Sequence, residues 1–413
     1  MAKLLSAKNG SNLSATVVAG LGAAAVTAFS LVLMRRRQQR YLRSSHPSHI
    51  HEYITSLRGN SKATGMQVVS MYGCKQHQSS PTTADGVGQE KEPLLLYVVT
   101  GATSGLGLQT ARHLASLPNT YIILGCRNVS LGDKVANELR NSTADANSKK
   151  SSINRVECIC LDLTSFESVK SFANSVIAKS SQLGVPIHGL INNAGVYSLP
   201  GTTCDGYQIT FQTNTLSPAL LTELILPHTT TDFRVVNVAS ETMKMIWNGT
   251  RKDGRVFPPV DGGGSDWDYA LSKACQGLHA HELNLRFSRS NESTKTPIDL
   301  RRAFAVEPGL VKTQISRHLN TWARMFTYLI FAPLVRTVDE GTATILFCLL
   351  APEEHLDYGW PVMGTKDCKV GILKPFYYAD CMAKSPPRCC RCQEDADLQG
   401  KVFRNVFTLD SSS

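Results

Sequence analysis

The sequence predicts an α/β fold in which one doubly wound parallel sheet is flanked by helices and preceded by an N-terminal transmembrane helix. From residue 94 onward, short apolar runs alternate with helix-period segments, and such a βαβα alternation is typical of a parallel sheet covered by helices. A glycine-rich turn separates the first apolar run from the first helical segment. The apolar stretch Leu13–Met34 is long enough to cross a bilayer, for which a helix of ~20 residues is needed.

Six short apolar runs are the predicted strands of this sheet: Leu94–Val99, Tyr121–Leu124, Val156–Leu161, Gly189–Ile191, Arg234–Val238 and Arg301–Val306. Their composition suits strands that are buried on both faces. Helix-period segments lie between several of them, as at Leu108–Ser116 and Phe166–Ala178, and residues 141–154 are predicted to form a polar loop. In such a sheet a ligand binds beyond the carboxyl ends of the strands.

A glycine-rich turn, Thr-Gly-Ala-Thr-Ser-Gly-Leu-Gly from Thr100 to Gly107, connects the first predicted strand to the first predicted helix. Glycines at 101, 105 and 107 allow the backbone to approach a pyrophosphate closely, and the free N–H groups at a helix start bind its negative charge. Because strand, glycine turn and helix follow in this order, we interpret the turn as a dinucleotide cradle. A tight turn without a ligand is the alternative.

Tyr269 and Lys273 stand four residues apart in a segment that can be helical, so their side chains share one face of the helix. A nearby ammonium stabilises phenolate and is expected to lower the tyrosine pKa from ~10 toward neutral pH. Such a phenol can give a proton to a carbonyl oxygen while hydride reaches the carbon, or take it back in the reverse reaction. The same pair also occurs on solvated helices, and the upstream glycine turn favours the catalytic interpretation.

The order of these motifs resembles the short-chain dehydrogenase/reductase superfamily. The elements that carry the resemblance are the Gly-x-x-x-Gly-x-Gly spacing from Gly101, the run Asn192–Gly195, Ser240, and Tyr269 with Lys273. The segments similar to the retinol-dehydrogenase and WW-domain-oxidoreductase branch are Gly125–Asn128, Leu161–Leu163 and Leu190–Val196. The resemblance covers residues 94–380 and implies one Rossmann-like domain that transfers hydride between a nicotinamide cofactor and a substrate.

The resemblance also implies roles for individual residues. Ser240 would orient the substrate oxygen, Asn214 would hold a water that relays protons to Lys273, and Asp162 would contact the adenine. The implied catalytic residues are Asn214, Ser240, Tyr269 and Lys273. The implied cofactor-binding residues are Gly101, Thr103, Ser104, Gly105, Leu106, Gly107, Arg127, Asp162, Asn193, Ala194, Gly195, Tyr269, Lys273, Pro308, Gly309 and Thr313. No metal site is expected.

Arg127 predicts which form of the cofactor is used. About twenty residues past the glycines of such a fold, an acidic residue accepts the ribose 2′-hydroxyl of NAD, whereas an arginine favours the 2′-phosphate of NADP. Arg127 occupies this region, and the segment Leu124–Ser130 contains no carboxylate. We therefore expect NADP(H) to be preferred, with NAD(H) as the alternative.

The net charge of +10 comes mostly from the N-terminus and does not indicate a nucleic-acid partner. No acidic residue precedes Glu52, and five arginines follow Leu13–Met34 within the segment Arg35–Arg43. Positive charge on this side of an apolar span predicts a membrane anchor with the catalytic domain in the cytosol, as at the endoplasmic reticulum. An acid-free segment with arginines and serines is also typical of a transit peptide, so a mitochondrial or plastid location is the alternative.

The remaining sequence completes a four-part organisation: a membrane anchor with a basic flank (1–43), a linker (44–93), the catalytic domain (94–380) and a C-terminal tail (381–413). The tail holds Cys389, Cys390 and Cys392 without the second spaced pair of a zinc site, so it is predicted to be solvated. The apolar segment Leu319–Leu350 is predicted to form core helices, and a lid over an apolar substrate or a membrane-facing surface is the alternative. An insertion between Trp247 and Trp267 is expected to form a loop near the substrate.

The sequence thus predicts a membrane-anchored, NADP(H)-dependent oxidoreductase acting on a lipophilic carbonyl or alcohol, such as a retinoid, steroid or fatty aldehyde. The expected partners are this small-molecule substrate and the membrane, with no nucleic acid, and a homo-oligomer is left open. One alternative is a weakly catalytic or non-catalytic scaffold that keeps the nucleotide-bound fold. Another is an enzyme similar to protochlorophyllide reductase, because that family shares the cradle and the tyrosine–lysine pair.

Overall fold

Strands and helices alternate along the computed structural model, which describes residues 63–73, 93–143, 155–246, 266–293, 299–311, 335–356, 376–379, 382–383 and 393–409. The strands in these ranges are β1 (Leu95–Thr100), β2 (Thr120–Cys126), β3 (Val156–Cys160), β4 (Ile187–Asn192), β5 (Thr229–Val238), β6 (Arg302–Glu307), β7 (Tyr377–Ala379) and β8 (Met382–Ala383).

The helices that cover these strands are α1 (Gly65–Tyr72), α2 (Gly105–Ala115), α3 (Val129–Thr143), α4 (Phe166–Leu183), α5 (Ser217–Ile225), α6 (Asp266–Ser293), α7 (Val338–Leu350), α8 (Glu353–Leu356) and α9 (Gln393–Leu409). A short helical turn, Ile209–Phe211, and a π-helical segment, Gln212–Leu216, lead directly into α5. Two 3₁₀ turns, Leu226–His228 and Glu241–Met245, flank β5.

The strands form one sheet in the order β3-β2-β1-β4-β5-β6-β7-β8. Strands β1 to β7 run parallel, and the two-residue β8 pairs antiparallel with β7 at the edge. The order of the strands reverses between β1 and β4, and ligands of open α/β sheets bind at such a switch point, outside the carboxyl ends of the strands. The predicted parallel sheet with flanking helices is confirmed, and all six predicted strands are present.

Two layers of helices explain why the strands are so apolar. Successive side chains of β1 enter opposite cores: Leu96 and Val98 pack with α4, α5 and α6, whereas Tyr97 and Val99 pack with α2, α3 and α7. Every residue of β2 and β4 is buried. Continuous hydrophobic runs, and not an alternating pattern, are what two covered faces require.

The N-terminal boundary of the folded domain differs from the prediction. Residues 44–93 were expected to be a linker, but Gly65–Tyr72 form helix α1, which packs on α7 and α2. Val68 and Tyr72 are completely buried there. The Tyr72 ring meets Phe347 edge-on, at 5.8 Å between centroids, and its hydroxyl lies 3.1 Å from His355 Nδ1. The predicted linker therefore contains part of the hydrophobic core.

The C-terminal boundary also differs from the prediction. The tail 381–413 was expected to be solvated, yet Gln393–Leu409 form helix α9, which packs along α6. Ala396 and Phe403 are buried in that contact, so burial against α6 stabilises this part of the tail. In the segment Leu319–Leu350, the described part is α7, a core helix whose last residues are all buried.

Several predictions fall outside the described residues. These are the membrane span Leu13–Met34 with its basic flank, most of the insertion after Trp247, Thr313, and the cysteines Cys389, Cys390 and Cys392. Among the residues that are described, no helix is long and apolar enough to span a membrane, and no cluster of His, Cys, Asp or Glu could hold a metal ion.

Candidate active site

The turn between β1 and α2 brings the backbone close to the expected ligand position. Gly101 and Gly105 have left-handed φ angles of +66° and +58°, which glycine adopts without steric cost. A Cβ atom at Gly107 would lie 2.5 Å from the carbonyl oxygen of Gly101, so a larger residue cannot fit. Ser104 precedes α2, and its side chain makes no capping hydrogen bond. The N–H groups of the first turn of α2 are therefore able to bind an anion. Thr103 and Leu106, close to Ser104 in the chain, are half-buried.

The segment after β4 is fastened to this turn. Thr100 Oγ1 accepts hydrogen bonds from the backbone N–H groups of Asn193 (3.1 Å) and Ala194 (3.0 Å). The Asn193 side chain donates to the carbonyl oxygens of Thr100 (2.9 Å) and Gly101 (3.2 Å). These bonds fix the relative position of the two strand ends at the switch point. They place Asn193, Ala194 and Gly195 beside the glycine turn.

Asn214 lies at the centre of the π-helical segment and is completely buried. Its Oδ1 accepts from the N–H of Val196 (2.8 Å), and its Nδ2 donates to the Val196 carbonyl (2.9 Å) and to Ser272 Oγ (3.0 Å). The side chain therefore joins the segment after β4 to helix α6. Single π-helical turns often occur at functional sites, and this one sets Asn214 between the two segments that carry the motifs.

Tyr269 and Ser240 come together at the carboxyl end of β5. Ser240 lies two residues after the end of that strand and caps the next 3₁₀ turn by accepting from the N–H of Thr242 (3.3 Å). Its hydroxyl is near enough to the Tyr269 phenol to act on the pKa of that group. Tyr269 is only 6% exposed, and its ring stacks obliquely on Tyr197 at 4.6 Å between centroids.

Lys273 lies one helical turn after Tyr269 and is buried. Its Nζ is 5.7 Å from the centre of the Tyr269 ring. The ammonium donates to the carbonyl oxygen of Val238 (2.7 Å) and to Gln276 Oε1 (3.1 Å). A Cβ built on Gly195 would lie 3.5 Å from Lys273 Nζ and 3.2 Å from Asn214 Oδ1. Gly195 thus keeps the space between these two side chains clear.

The electrostatics differ from the sequence-based expectation. Burial raises the pKa of Tyr269 to about 12, opposed only in part by the hydrogen bond from Ser240. Burial also lowers the pKa of Lys273 to about 7, so a large fraction of the Lys273 side chains carries no charge near neutral pH. The expected depression of the Tyr269 pKa by Lys273 is therefore not present, because burial is the largest effect on the pKa of each group. At neutral pH the phenol is protonated.

The remaining predicted cofactor residues surround the same edge of the sheet. Arg127 follows the last residue of β2 and is exposed. Asp162, after β3, accepts from the N–H and the hydroxyl of Thr164 (2.9 and 2.7 Å). Pro308 and Gly309 follow β6, where Gly309 has a φ of +82° and Arg336 Nη1 donates to the Pro308 carbonyl (3.4 Å).

These residues together fit a nicotinamide dinucleotide. Because the turn requires glycine at its left-handed positions and at Gly107, no side chain stands between its backbone and a bound pyrophosphate. The start of α2 has no side-chain cap, so its N–H groups can bind the pyrophosphate. Gly195 opens toward Lys273 and Asn214, near the phenol of Tyr269. Each of these segments follows a different strand of one parallel sheet, and the fold alone brings them together.

Comparison with known proteins agrees with this geometry. Residues 96–251 match the family model of short chain dehydrogenases. Human retinol dehydrogenase 12 is 32% identical over 291 residues, which cover 68% of this chain and 81% of that protein. The WW domain-containing oxidoreductase of Pongo abelii is 30% identical over 264 residues, covering 62% of this chain and 58% of that protein. The solved structure of the NADPH-bound carbonyl reductase from chicken fatty liver is 22% identical and aligns with a TM-score of 0.44, covering 63% of this chain and 92% of that one.

The chain belongs to the short-chain dehydrogenase/reductase superfamily, a family of oxidoreductases that bind nicotinamide cofactors. Within this superfamily, the chain belongs to the branch similar to retinol dehydrogenase 12 and the WW domain-containing oxidoreductases.

The structure adds residues to the site that the motifs did not identify. Thr100, Tyr197, Ser272 and Gln276 all contact predicted site residues. Helical spacing could have indicated Gln276, which lies three residues after Lys273. The sequence held no comparable signal for Tyr197, because its contact with Tyr269 depends on how the segment after β4 meets α6.

Proposed function

We propose that this protein is an NADP(H)-dependent oxidoreductase that transfers hydride between nicotinamide and a lipophilic carbonyl or alcohol, with Tyr269 as the proton donor. The observation that carries the proposal is the arrangement of Lys273 one turn after Tyr269 with its Nζ 5.7 Å from the centre of the phenol ring, while Gly195 leaves the space between Lys273 and Asn214 open. Asn214 holds together the two segments on which these groups stand.

The side chains divide the proton chemistry between them. The cofactor, when bound, supplies or accepts the hydride. Ser240 donates a hydrogen bond to the substrate oxygen and orients it toward the phenol, and Tyr269 gives that oxygen its proton during reduction. A phenol pKa of about 12 keeps Tyr269 protonated at neutral pH, which favours carbonyl reduction. Alcohol oxidation needs the phenolate and should therefore increase toward alkaline pH.

Tyr269→Phe tests the catalytic assignment because it removes only a hydroxyl. Turnover of NADPH with a panel of aldehydes and ketones should fall by roughly 10²-fold or more, while NADPH binding, followed by fluorescence, is retained. Tyr207→Phe is the matched control, because it removes the same hydroxyl from a ring that packs on Phe166, and it should keep most of the turnover. Near-normal turnover of the Tyr269 variant would disprove the role. Cofactor binding without turnover in the unaltered protein would support the scaffold alternative.

The preference for NADP(H) is supported by the position of Arg127. Its exposed side chain follows β2, where the adenosine ribose lies in this fold. A guanidinium can form two charge-assisted hydrogen bonds with a 2′-phosphate.

A lipophilic substrate is supported by two exposed apolar side chains in the segments that carry predicted site residues. Trp267, two residues before Tyr269, is 53% exposed, and Leu310, directly after Gly309, is 40% exposed. Large apolar side chains left open to solvent at the edge of a site offer contact area to an apolar ligand. The name of the relative retinol dehydrogenase 12 makes retinoids the first substrate class to test, followed by steroids and fatty aldehydes.

We further propose that Leu13–Met34 anchor the protein in the membrane of the endoplasmic reticulum, with the catalytic domain in the cytosol. The support is the length of this apolar span and the five arginines that follow it. A transit peptide for a mitochondrion or plastid is the alternative location signal.

A further inference from the structure

Gln276 lies one turn beyond Lys273 on helix α6 and is 2% exposed. Its Oε1 accepts a hydrogen bond from Lys273 Nζ (3.1 Å), and its Nε2 donates to the main-chain carbonyl of Asn214 (2.6 Å). Its own carbonyl oxygen accepts from Asn237 Nδ2 (3.4 Å) on β5. One side chain therefore connects Lys273 to the π-helical segment.

The partners determine which way this amide points. An ammonium only donates hydrogen bonds and a carbonyl only accepts them. The opposite orientation would place an NH₂ group against the Lys273 ammonium and an oxygen against the Asn214 carbonyl, so both contacts would be repulsive. Glutamate could satisfy Lys273 but not the carbonyl, and lysine could do the reverse. An amide of this length serves both.

Lys273 depends on this contact because its surroundings are otherwise neutral. Its two described hydrogen-bond acceptors are the Val238 carbonyl and Gln276 Oε1, and neither carries a charge. The first acceptor belongs to the strand that leads to Ser240, and the second is tied to Asn214. These two bonds hold Nζ at its place beneath the Tyr269 ring.

We propose that Gln276 is a positioning residue for the reaction, whose amide ties Lys273 to the main-chain carbonyl of Asn214 and so sets the place and the protonation of the ammonium. This inference rests on the proposed function, in which Lys273 acts beside Tyr269. The amide supplies an acceptor without a negative charge, so Lys273 can lose its proton near neutral pH. A carboxylate in its place would hold that proton.

Two substitutions separate positioning from packing. Gln276→Glu keeps the size but places a negative charge beside Nζ, which should raise the midpoint of Lys273 titration by about one pH unit or more. Gln276→Met keeps the length and removes both hydrogen bonds, which should lower kcat/KM by about tenfold or more. Gln399→Met is the matched control, because Gln399 is equally buried and its Nε2 donates to the Cys275 carbonyl (2.7 Å) on the same helix.

Lys273 titration is measured without reference to activity, by competitive acetic anhydride labelling across pH and mass spectrometry of the peptide containing Lys273. The pH profile of kcat/KM and the NADPH dissociation constant are measured beside it. The inference predicts that both Gln276 variants shift the labelling midpoint and the pH profile, whereas Gln399→Met lowers only thermal stability.

An unchanged midpoint in both Gln276 variants, with a stability loss like that of Gln399→Met, would overturn the inference and leave Gln276 a packing residue. A shifted midpoint in a protein that turns over no carbonyl with either cofactor would support the contact with Lys273 and refute the proposed function. The two failures are therefore distinguishable.

Discussion

Thr100 shows how much of the site depends on one hydroxyl group. Its Oγ1 donates to the Ile191 carbonyl (3.3 Å) and accepts from the N–H groups of Asn193 and Ala194. A hydroxyl has one donor and two acceptor positions, and all three are used here. The end of β1 is therefore held against the end of β4 by the residue that begins the glycine turn.

Arg127→Asp is expected to reverse the proposed preference for NADP(H), because a carboxylate repels the 2′-phosphate and can accept a ribose hydroxyl. Loss of the charge-assisted bonds should change the NADPH to NADH ratio of kcat/KM by about ten- to a hundredfold. Arg112→Asp is the control, since it makes the same charge change at an exposed position of α2. An unchanged ratio in the Arg127 variant would show that other residues set the preference.

Local spacing identified the Tyr269 and Lys273 pair because one helical turn separates them, whatever the tertiary structure. The same spacing could not give the pKa values, since burial depends on residues far along the chain. Nor could it show that the Asn214 carbonyl would meet Gln276, because the π-helical turn that presents it has no recognised pattern in the sequence. The types of the reactive groups were predictable, and their environment was not.

Helices α1 and α9 were missed for a common physical reason. Both lie in segments whose composition is polar or rich in turn-forming residues, and each is stabilised by contact with a distant helix. Helix α1 has only eight residues, and an isolated helix of that length is unstable in water. A capping box between Thr64 and Gln67 does mark its start, and that signal was available in the sequence.

Removal of α1 should destabilise the domain. A chain that begins at Pro93 loses the complete burial of Val68 and Tyr72 and uncovers their partners on α7. We expect its free energy of unfolding to be about 3–5 kcal/mol lower than that of a chain beginning at Ser61. Urea denaturation of both chains measures the difference. Equal midpoints would mean that residues 63–73 behave as the linker that the sequence indicated.

Docking of α9 should weaken in acid. His279 on α6 contacts Phe403 of α9, with 5.9 Å between ring centroids. Burial lowers the His279 pKa to about 4, the negative charge of Glu223 opposes this in part, and the positive charge of Arg286 adds to the lowering. Between pH 6.5 and 4 the unfolded chain binds a proton that the folded chain does not. Stability therefore falls as pH falls through this window, by up to about 3 kcal/mol.

Urea midpoints at pH 7 and pH 5 measure this effect. His279→Leu should reduce the difference between the two midpoints, whereas replacement of the exposed His228 by leucine should leave it unchanged. A pH dependence that survives in the His279 variant would assign it to other groups.

For the whole molecule, the alternation of strands and helices was enough to predict the sheet, because each βαβ unit brings the next parallel strand into place. The carboxyl-end location of the site followed from the same rule. The edge of the sheet that β7 and β8 form could not be predicted, since these strands have only three and two residues. Segments that short carry no periodicity, and the pairing of β7 with β6 and of β8 with β7 is decided by the rest of the sheet.

The proposed membrane anchor predicts how the intact protein fractionates. Carbonate extraction should leave the full chain in the membrane pellet, protease added to intact microsomes should digest the catalytic domain, and a chain lacking residues 1–43 should appear in the supernatant. A mature form shortened near residue 40 or beyond would instead show that the N-terminus is a cleaved transit peptide.

The contact between Tyr72 and His355 joins residues 283 positions apart. Ribosomes add about 5–20 residues per second, so roughly 15–60 s pass between the synthesis of α1 and the synthesis of its partner. Of the helices α2 and α7, on which α1 packs, only α2 has been made during that interval, so the part of α1 that α7 covers stays exposed to solvent. Helices α7 and α8, which are synthesised long after α1, thus decide when the packing of α1 can be completed.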